Sequence, residues 1–267
     1  MAARKRRPET SGSIVRVCLL KIKPEKGTQE QNFARLAAAL ETTHGLGADV
    51  FVTPECYLDG YIAADAAVTR EALSSLGIVP EQSRYVRALK DFCKKSCAWL
   101  VFGCTEATAE GPKNAALILD RQGALAGTYH KVHLQSHDRK FSAGRSLPVF
   151  QSDFGAFGVM ICADRRWPET TRTLALKGAR VIFVPSYGMH GEGNERMMRT
   201  RSYESEVFIC FAHPEESLIT NPTGESEARL VSSCDGYLLH DIDLAAVDAL
   251  RNAESSHLKD RVPDAYA

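Results

Sequence analysis

The sequence predicts a mixed α/β fold built as four layers, two sheets face to face with helices outside. Short apolar strands alternate with amphipathic helices along most of the chain. Hairpins interrupt that alternation, which argues against a pure series of parallel βαβ units. Two packed sheets are the simplest way to cover so many strands.

In chain order, residues 14–22 are rich in Val, Ile and Leu and read as a first strand. Thr28 can cap a helix whose Phe33, Leu36, Ala37 and Leu40 keep helical spacing. Residues 49–53 form a second strand closed by Pro54. A second helix is predicted over 81–97, with Val86, Leu89, Phe92 and Cys93 on one face, and a third strand over 99–103. Segments 115–120 and 124–129 flank Arg121-Gln122-Gly123 and read as a hairpin. Residues 130–145 show no periodicity and read as loop. A strand over 156–162 precedes a helix over 168–177 with Pro at its first turn. A strand over 179–184 ends at Pro185, and a helix begins near Asn194. Strands over 206–211, 217–221, 227–232 and 237–242 follow, then a short helix over 244–252.

Composition narrows the function. The 267 residues are 44% hydrophobic and 25% charged, with 33 Lys plus Arg against 33 Asp plus Glu. A net charge of zero gives no support for nucleic-acid or membrane partners. No apolar run reaches membrane-spanning length. Residues 1–13, with Arg4-Lys5-Arg6-Arg7-Pro8, read as a disordered basic leader, and residues 14–267 as one domain. The eight cysteines are scattered. Cys93 and Cys97 share a helix face, but no second pair with metal spacing accompanies them, so packing explains them better than a metal. Reduced thiols in a cytoplasm are the expected state.

Three strand ends carry candidate chemistry. Residues 158–162 are an apolar run closed by Cys162, and Asp164-Arg165-Arg166 follow at once. Nearby arginines favour a thiolate, the nucleophilic form of cysteine. Residues 50–54 run into Glu55, set between apolar neighbours where a carboxylate can serve as general base. Residues 126–130 run into Lys131, flanked by Tyr129, Val132 and Leu134, whose ammonium can stabilise an oxyanion. A thiol, a carboxylate and an ammonium together suit acyl transfer.

The order Pro54-Glu55, Tyr129-His130-Lys131-Val132-His133-Leu134 and Ile161-Cys162-Ala163-Asp164-Arg165-Arg166-Trp167-Pro168-Glu169 resembles the nitrilase (carbon–nitrogen hydrolase) superfamily. Gly103 with Asn114, Phe141-Ser142-Ala143-Gly144, 201–208 and 221–225 match smaller motifs of that family. The resemblance covers about residues 14 to 265. It implies an αββα sandwich of the nitrilase type, a homodimer, and no metal or organic cofactor. It casts Glu55 as base, Lys131 as oxyanion stabiliser and Cys162 as nucleophile, with the Ala163 N–H sharing the oxyanion. Glu204 falls at a glutamate of the family. A second family glutamate is replaced here by His137, with Asp138 beside it as the possible substitute. Ala163 is smaller than the residue the family often carries.

Arg165-Arg166-Trp167-Pro168-Glu169 looks most like the N-carbamoyl-D-amino acid amidohydrolase branch. That likeness implies a substrate carboxylate held by Arg165 and Arg166, with His133 also matching; either arginine could instead pair with a local carboxylate, and His133 could cap a loop. Residues 184–190 depart from the branch, so Tyr187 and His190 are the expected pocket-lining residues. The expected activity is hydrolysis of a small amide or ureido acid. The alternatives are an aliphatic or ω-amidase, a nitrilase, or an inert binding member of the superfamily.

Overall fold

The computed structural model describes residues 13–266, so the leader expected over 1–13 lies outside the described residues except for Ser13. The chain enters through β1 (Ile14–Lys21), α1 (Gln29–Thr43) and β2 (Val50–Val52). It continues with α2 (Arg70–Leu76), α3 (Arg84–Ser96), β3 (Trp99–Thr108), β4 (Gly111–Leu119) and β5 (Leu125–His130). The second half holds β6 (Val149–Ser152), β7 (Gly155–Val159), α4 (Pro168–Leu176), β8 (Val181–Pro185) and α5 (Glu192–Ser205). It closes with β9 (Phe208–Ala212), β10 (Glu216–Thr220), β11 (Ser226–Val231), β12 (Gly236–Asp243) and α6 (Ala245–Asn252).

Two six-stranded sheets result, ordered β12-β1-β2-β3-β4-β5 and β11-β10-β9-β8-β7-β6. Each has a parallel centre, β1, β2 and β3 in one and β7, β8 and β9 in the other, flanked by antiparallel strands. The central strands are apolar on both faces because both faces are covered. Val15, Val17 and Leu19 of β1 enter the layer between the sheets, where they share a cluster with Phe157, Val181 and Phe183. The alternate residues Cys18 and Leu20 face Leu36 and Leu40 of α1 and Leu89 and Cys93 of α3. On the second sheet, Ile182, Val184, Ile209 and Phe211 meet Leu174 of α4 and Met198 of α5. This is the predicted four-layer arrangement.

Several elements differ from those the sequence predicts. Thr28 stands before α1, but its hydroxyl donates to Glu25 O (3.3 Å) and caps nothing. α3 begins at Arg84, not near 81, because Ser83 Oγ accepts from the N–H of Val86. The strand before Cys162 stops at Val159. α2 and β6 have no counterpart in the predicted elements. α2 has only seven residues and is started by Thr69, whose hydroxyl accepts from Ala72 N. β6 exists through its pairing with β7. No helix of the described residues is long and apolar enough to cross a membrane.

Gly103 on β3 lies under the loop after β2, where an added Cβ would fall 2.2 Å from Pro54 O and 3.1 Å from Glu55 Cα. Just after β9, His213 is buried with its Nδ1 accepting from Glu215 N, so its Nε2 carries the proton. Burial lowers the His213 pKa from 6.5 to about 4.

Gly103→Ala should cost about 2 kcal/mol by overpacking, read by urea denaturation, because backbone must move to admit the methyl. An unfolded chain protonates His213 more readily than the folded one, so this residue withdraws stability as pH falls from about 6.5 toward 4, roughly 2 kcal/mol by about pH 5. His213→Gln should therefore flatten the drop in Tm between neutral and mildly acid pH, as read by thermal melts.

Candidate active site

Glu55 is delivered by the end of β2. Thr53 N donates to Val101 O, Thr53 Oγ1 accepts from Gly103 N (2.8 Å), and Tyr57 N donates to Gly103 O, so the loop straddles the glycine. Glu55 N donates to Ser186 O at the end of β8, which ties the first sheet to the second. The Glu55 side chain is fully buried. Its Oε1 accepts from Asn114 Nδ2 (2.8 Å) and from Lys131 Nζ (2.7 Å), while Oε2 has no hydrogen-bond partner. That oxygen is free to take up a proton.

Lys131 follows β5, and its N–H donates to Asn114 O, so Asn114 braces both groups. Gly144 N, in the Phe141–Gly144 stretch, donates to Lys131 O. The ammonium donates to Glu55 Oε1 and to Asp138 Oδ2, both at 2.7 Å. An ammonium has three N–H bonds, so one remains for a ligand. Burial disfavours the charged lysine, but Glu55 first, then Cys162 and Asp138, outweigh it and raise the pKa above the ordinary lysine value. Of the two residues expected near the missing glutamate, Asp138 meets Lys131. His137 is largely outside, its ring edge-on to Tyr61 and its Nε2 4.0 Å from Asp138. The other oxygen of Asp138 accepts from the hydroxyl of Tyr61. The Tyr61 ring lies under the ammonium, 5.8 Å from centroid to Nζ.

Cys162 opens a short 3-10 turn, Cys162–Arg166, with a left-handed backbone of φ +44°. Five non-glycine residues with positive φ are found among the described residues. Three of them, Cys56, Tyr61 and Cys162, surround this site. Such conformations cost about 1–3 kcal/mol each and persist where surrounding contacts enforce them. Buried Asp164 is that enforcement for Cys162. It accepts from Ile161 N (3.0 Å), Tyr129 OH (2.7 Å), His133 N (2.8 Å) and the His133 ring, and so pins the turn to β5.

The remaining expected residues divide. Arg165 is buried, with Nη1 3.4 Å from Cys162 Sγ, Nε on Asn194 Oδ1 and Nη2 on Met189 O. Arg166 does not join it; its side chain is exposed and its carbonyl accepts from Arg201. The residue directly after a turning arginine leaves the buried side of so short a turn. His133 is held by Asp164 and stacks on Trp167 at 4.3 Å, a structural engagement. Glu204 pairs with Arg201, whose guanidinium holds Arg165 O and Arg166 O, so it reaches the Cys162 turn at one remove. Tyr187 packs edge-on against Tyr61, near Lys131. Ala163 follows Cys162 and is buried, in the first turn where backbone N–H groups lack helical partners. Sequence reasoning did not single out Tyr61, Asp164, Asn194, His213 or Gly188. Only Asp164, buried between Cys162 and the arginines, had a positional signal.

The arrangement pairs a thiol with an unpartnered carboxylate oxygen, a lysine N–H to spare and a guanidinium, at the junction of two sheets. A profile of the carbon–nitrogen hydrolase family matches residues 15–252. A probable nitrilase of Schizosaccharomyces pombe is 31% identical over 169 residues, which span 57% of this chain and 61% of that protein. A nitrilase of Pyrococcus abyssi is 28% identical over 94% of this chain and 97% of its own length. The human deaminated glutathione amidase is 27% identical over 95% of this chain and 83% of its own length. The crystal structure of Saccharomyces cerevisiae Nit3 superposes with a TM-score of 0.82 at 22% identity, over 94% of this chain and 97% of that one. The chain belongs to the carbon–nitrogen hydrolase family.

Proposed function

We propose that the chain hydrolyses a small amide or N-carbamoyl amino acid through a thioester on Cys162. The observation that supports this reading most is the buried Glu55 carboxylate, with Oε1 fixed by Lys131 and Asn114 and Oε2 unpartnered. In the proposed course Oε2 takes the Cys162 proton as Sγ attacks the carbonyl carbon. The spare Lys131 N–H and the Ala163 N–H hold the tetrahedral oxyanion. Glu55 returns the proton to the leaving nitrogen, the C–N bond breaks, and the amine departs. Water then gives a proton to Glu55 and attacks the thioester, and the acid leaves with Cys162 protonated again.

Arg165 supports a carboxylate-bearing substrate. It is the one arginine of the pair beside Sγ, and three of its five N–H groups are committed. The neighbouring Asn194 Nδ2 is buried without a partner. A ureido acid or an ω-amide of a dicarboxylic acid would bring the carboxylate these donors suit. A second reading keeps Arg165 as partner of the Cys162 sulfur, which its 3.4 Å contact favours, with neutral amides or nitriles as substrates. We also infer a homodimer, with Leu176 and Tyr203 exposed on the outer helices α4 and α5. A reducing, cytoplasmic setting suits eight free cysteines.

A panel of neutral amides, ω-amido acids, ureido acids and nitriles, assayed for ammonia release, tests the activity. The wild type should hydrolyse amides or ureido acids, Cys162→Ala should be inactive, and Glu55→Gln should lose about a thousandfold in rate. Turnover by Cys162→Ala would sink the reading. Arg165→Lys keeps charge but loses the planar fork; it should raise KM for carboxylated substrates about tenfold more than for neutral ones. Equal effects on both classes would assign Arg165 to the sulfur instead.

A further inference from the structure

The segment after β8 passes over the nucleophile, and four consecutive carbonyls fasten it there. Ser186 O accepts from Glu55 N, Tyr187 O and Gly188 O accept from His213 Nε2 (2.8 and 2.9 Å), and Met189 O accepts from Arg165 Nη2 (2.6 Å). Ser186 N also donates to Ala212 O on β9. Neutral His213 fits this role, since one N–H serves both carbonyls while Nδ1 accepts from Glu215 N. Donors from three separate elements therefore hold one short stretch of backbone. A stretch so held cannot retreat to admit a larger group.

Gly188 is the point of this wall that faces the sulfur. A Cβ built there would stand 3.4 Å from Cys162 Sγ and, its chain neighbours aside, within 4 Å of no other atom. Cys162 is only 4% exposed, and Gly188 is itself exposed. The space a Gly188 side chain would fill is thus both open to solvent and in contact with the nucleophile. Its φ is not positive, so the backbone does not require glycine. We infer that Gly188 is a specificity-determining residue, whose missing side chain opens the approach to Cys162 for substrates that carry a branched or cyclic substituent beside the scissile bond. This rests on Cys162 as the nucleophile of the proposed reaction.

The test compares two thiol reagents on the full chain, small iodoacetamide and bulky N-phenylmaleimide. Rates are read at the Cys162 peptide by mass spectrometry, with Cys162→Ala as blank. In the wild type Cys162 should react with both. Gly188→Ala should lower the ratio of bulky to small rates about tenfold, and Gly188→Leu should lower it further, as expected for methylene-sized changes in a pocket. A ratio that stays put, both reagents slowed alike, or a wild-type Cys162 closed to N-phenylmaleimide would overturn the inference. Thermal melts check folding; should Gly188→Leu not fold, Gly188→Ala decides alone, its methyl being at ordinary contact distance. Alkylation needs no turnover, so an inactive chain whose ratio still falls would overturn the hydrolase reading and leave the filter standing.

Discussion

The Lys131 ammonium between Glu55 and Asp138 is the interaction on which the rest of the site depends. All three side chains are fully buried, and two carboxylates share one cation. Removing such charges from water costs several kcal/mol per ion, and a buried pair is weak evidence of stabilisation. The surroundings are arranged to offset that cost with Asn114 on Glu55 and Tyr61 on Asp138. The geometry leaves two unfilled capacities, Glu55 Oε2 and the third N–H of Lys131. An acceptor and a donor left open in a buried site are what proton transfer and oxyanion binding require.

The constellation also depends on how the sheets dock. Glu55 and Lys131 come from the first sheet, Cys162 and the Gly188 wall from the second. β2 lies against β8 across the shared core, and Glu55 N reaches Ser186 O there. β2, β7 and β8 are central parallel strands whose carboxyl ends open on the same junction, the usual place for a site in such sheets. Neither sheet alone holds the three groups. The apolar layer between the sheets, with Phe157 and Phe183 at its centre, is what sets their spacing.

Much of this is legible in the chain, for particular reasons. The central strands announce themselves because both faces are apolar, and Glu55 and Cys162 each follow such a run, while Lys131 follows β5 at the edge of its sheet. Asp138 is within reach as the substitute for a missing glutamate because it is the only carboxylate beside His137. Other features are tertiary. β3 and β4 run far beyond their apolar segments because Gly111–Asn114 pairs with Thr105–Thr108, a pairing that no apolar run in either segment marks. His133 has the sequence position of a ligand-binding residue, yet Asp164 holds it. Arg166 is indistinguishable from Arg165 until the turn sends it outward. Tyr61 and His213 act through partners 77 and about 25 residues away, and no local pattern encodes that.

The proposed reaction turns on a covalent bond from Cys162 to the substrate's acyl or carbamoyl carbon. The most direct measurement is acid-quenched mass spectrometry of the protein caught during turnover of its best substrate from the amide and ureido panel. A mass increase equal to the acyl or carbamoyl group is expected on the Cys162 peptide, and none in Cys162→Ala. Turnover with no adduct on Cys162, or an adduct on another residue, would contradict it.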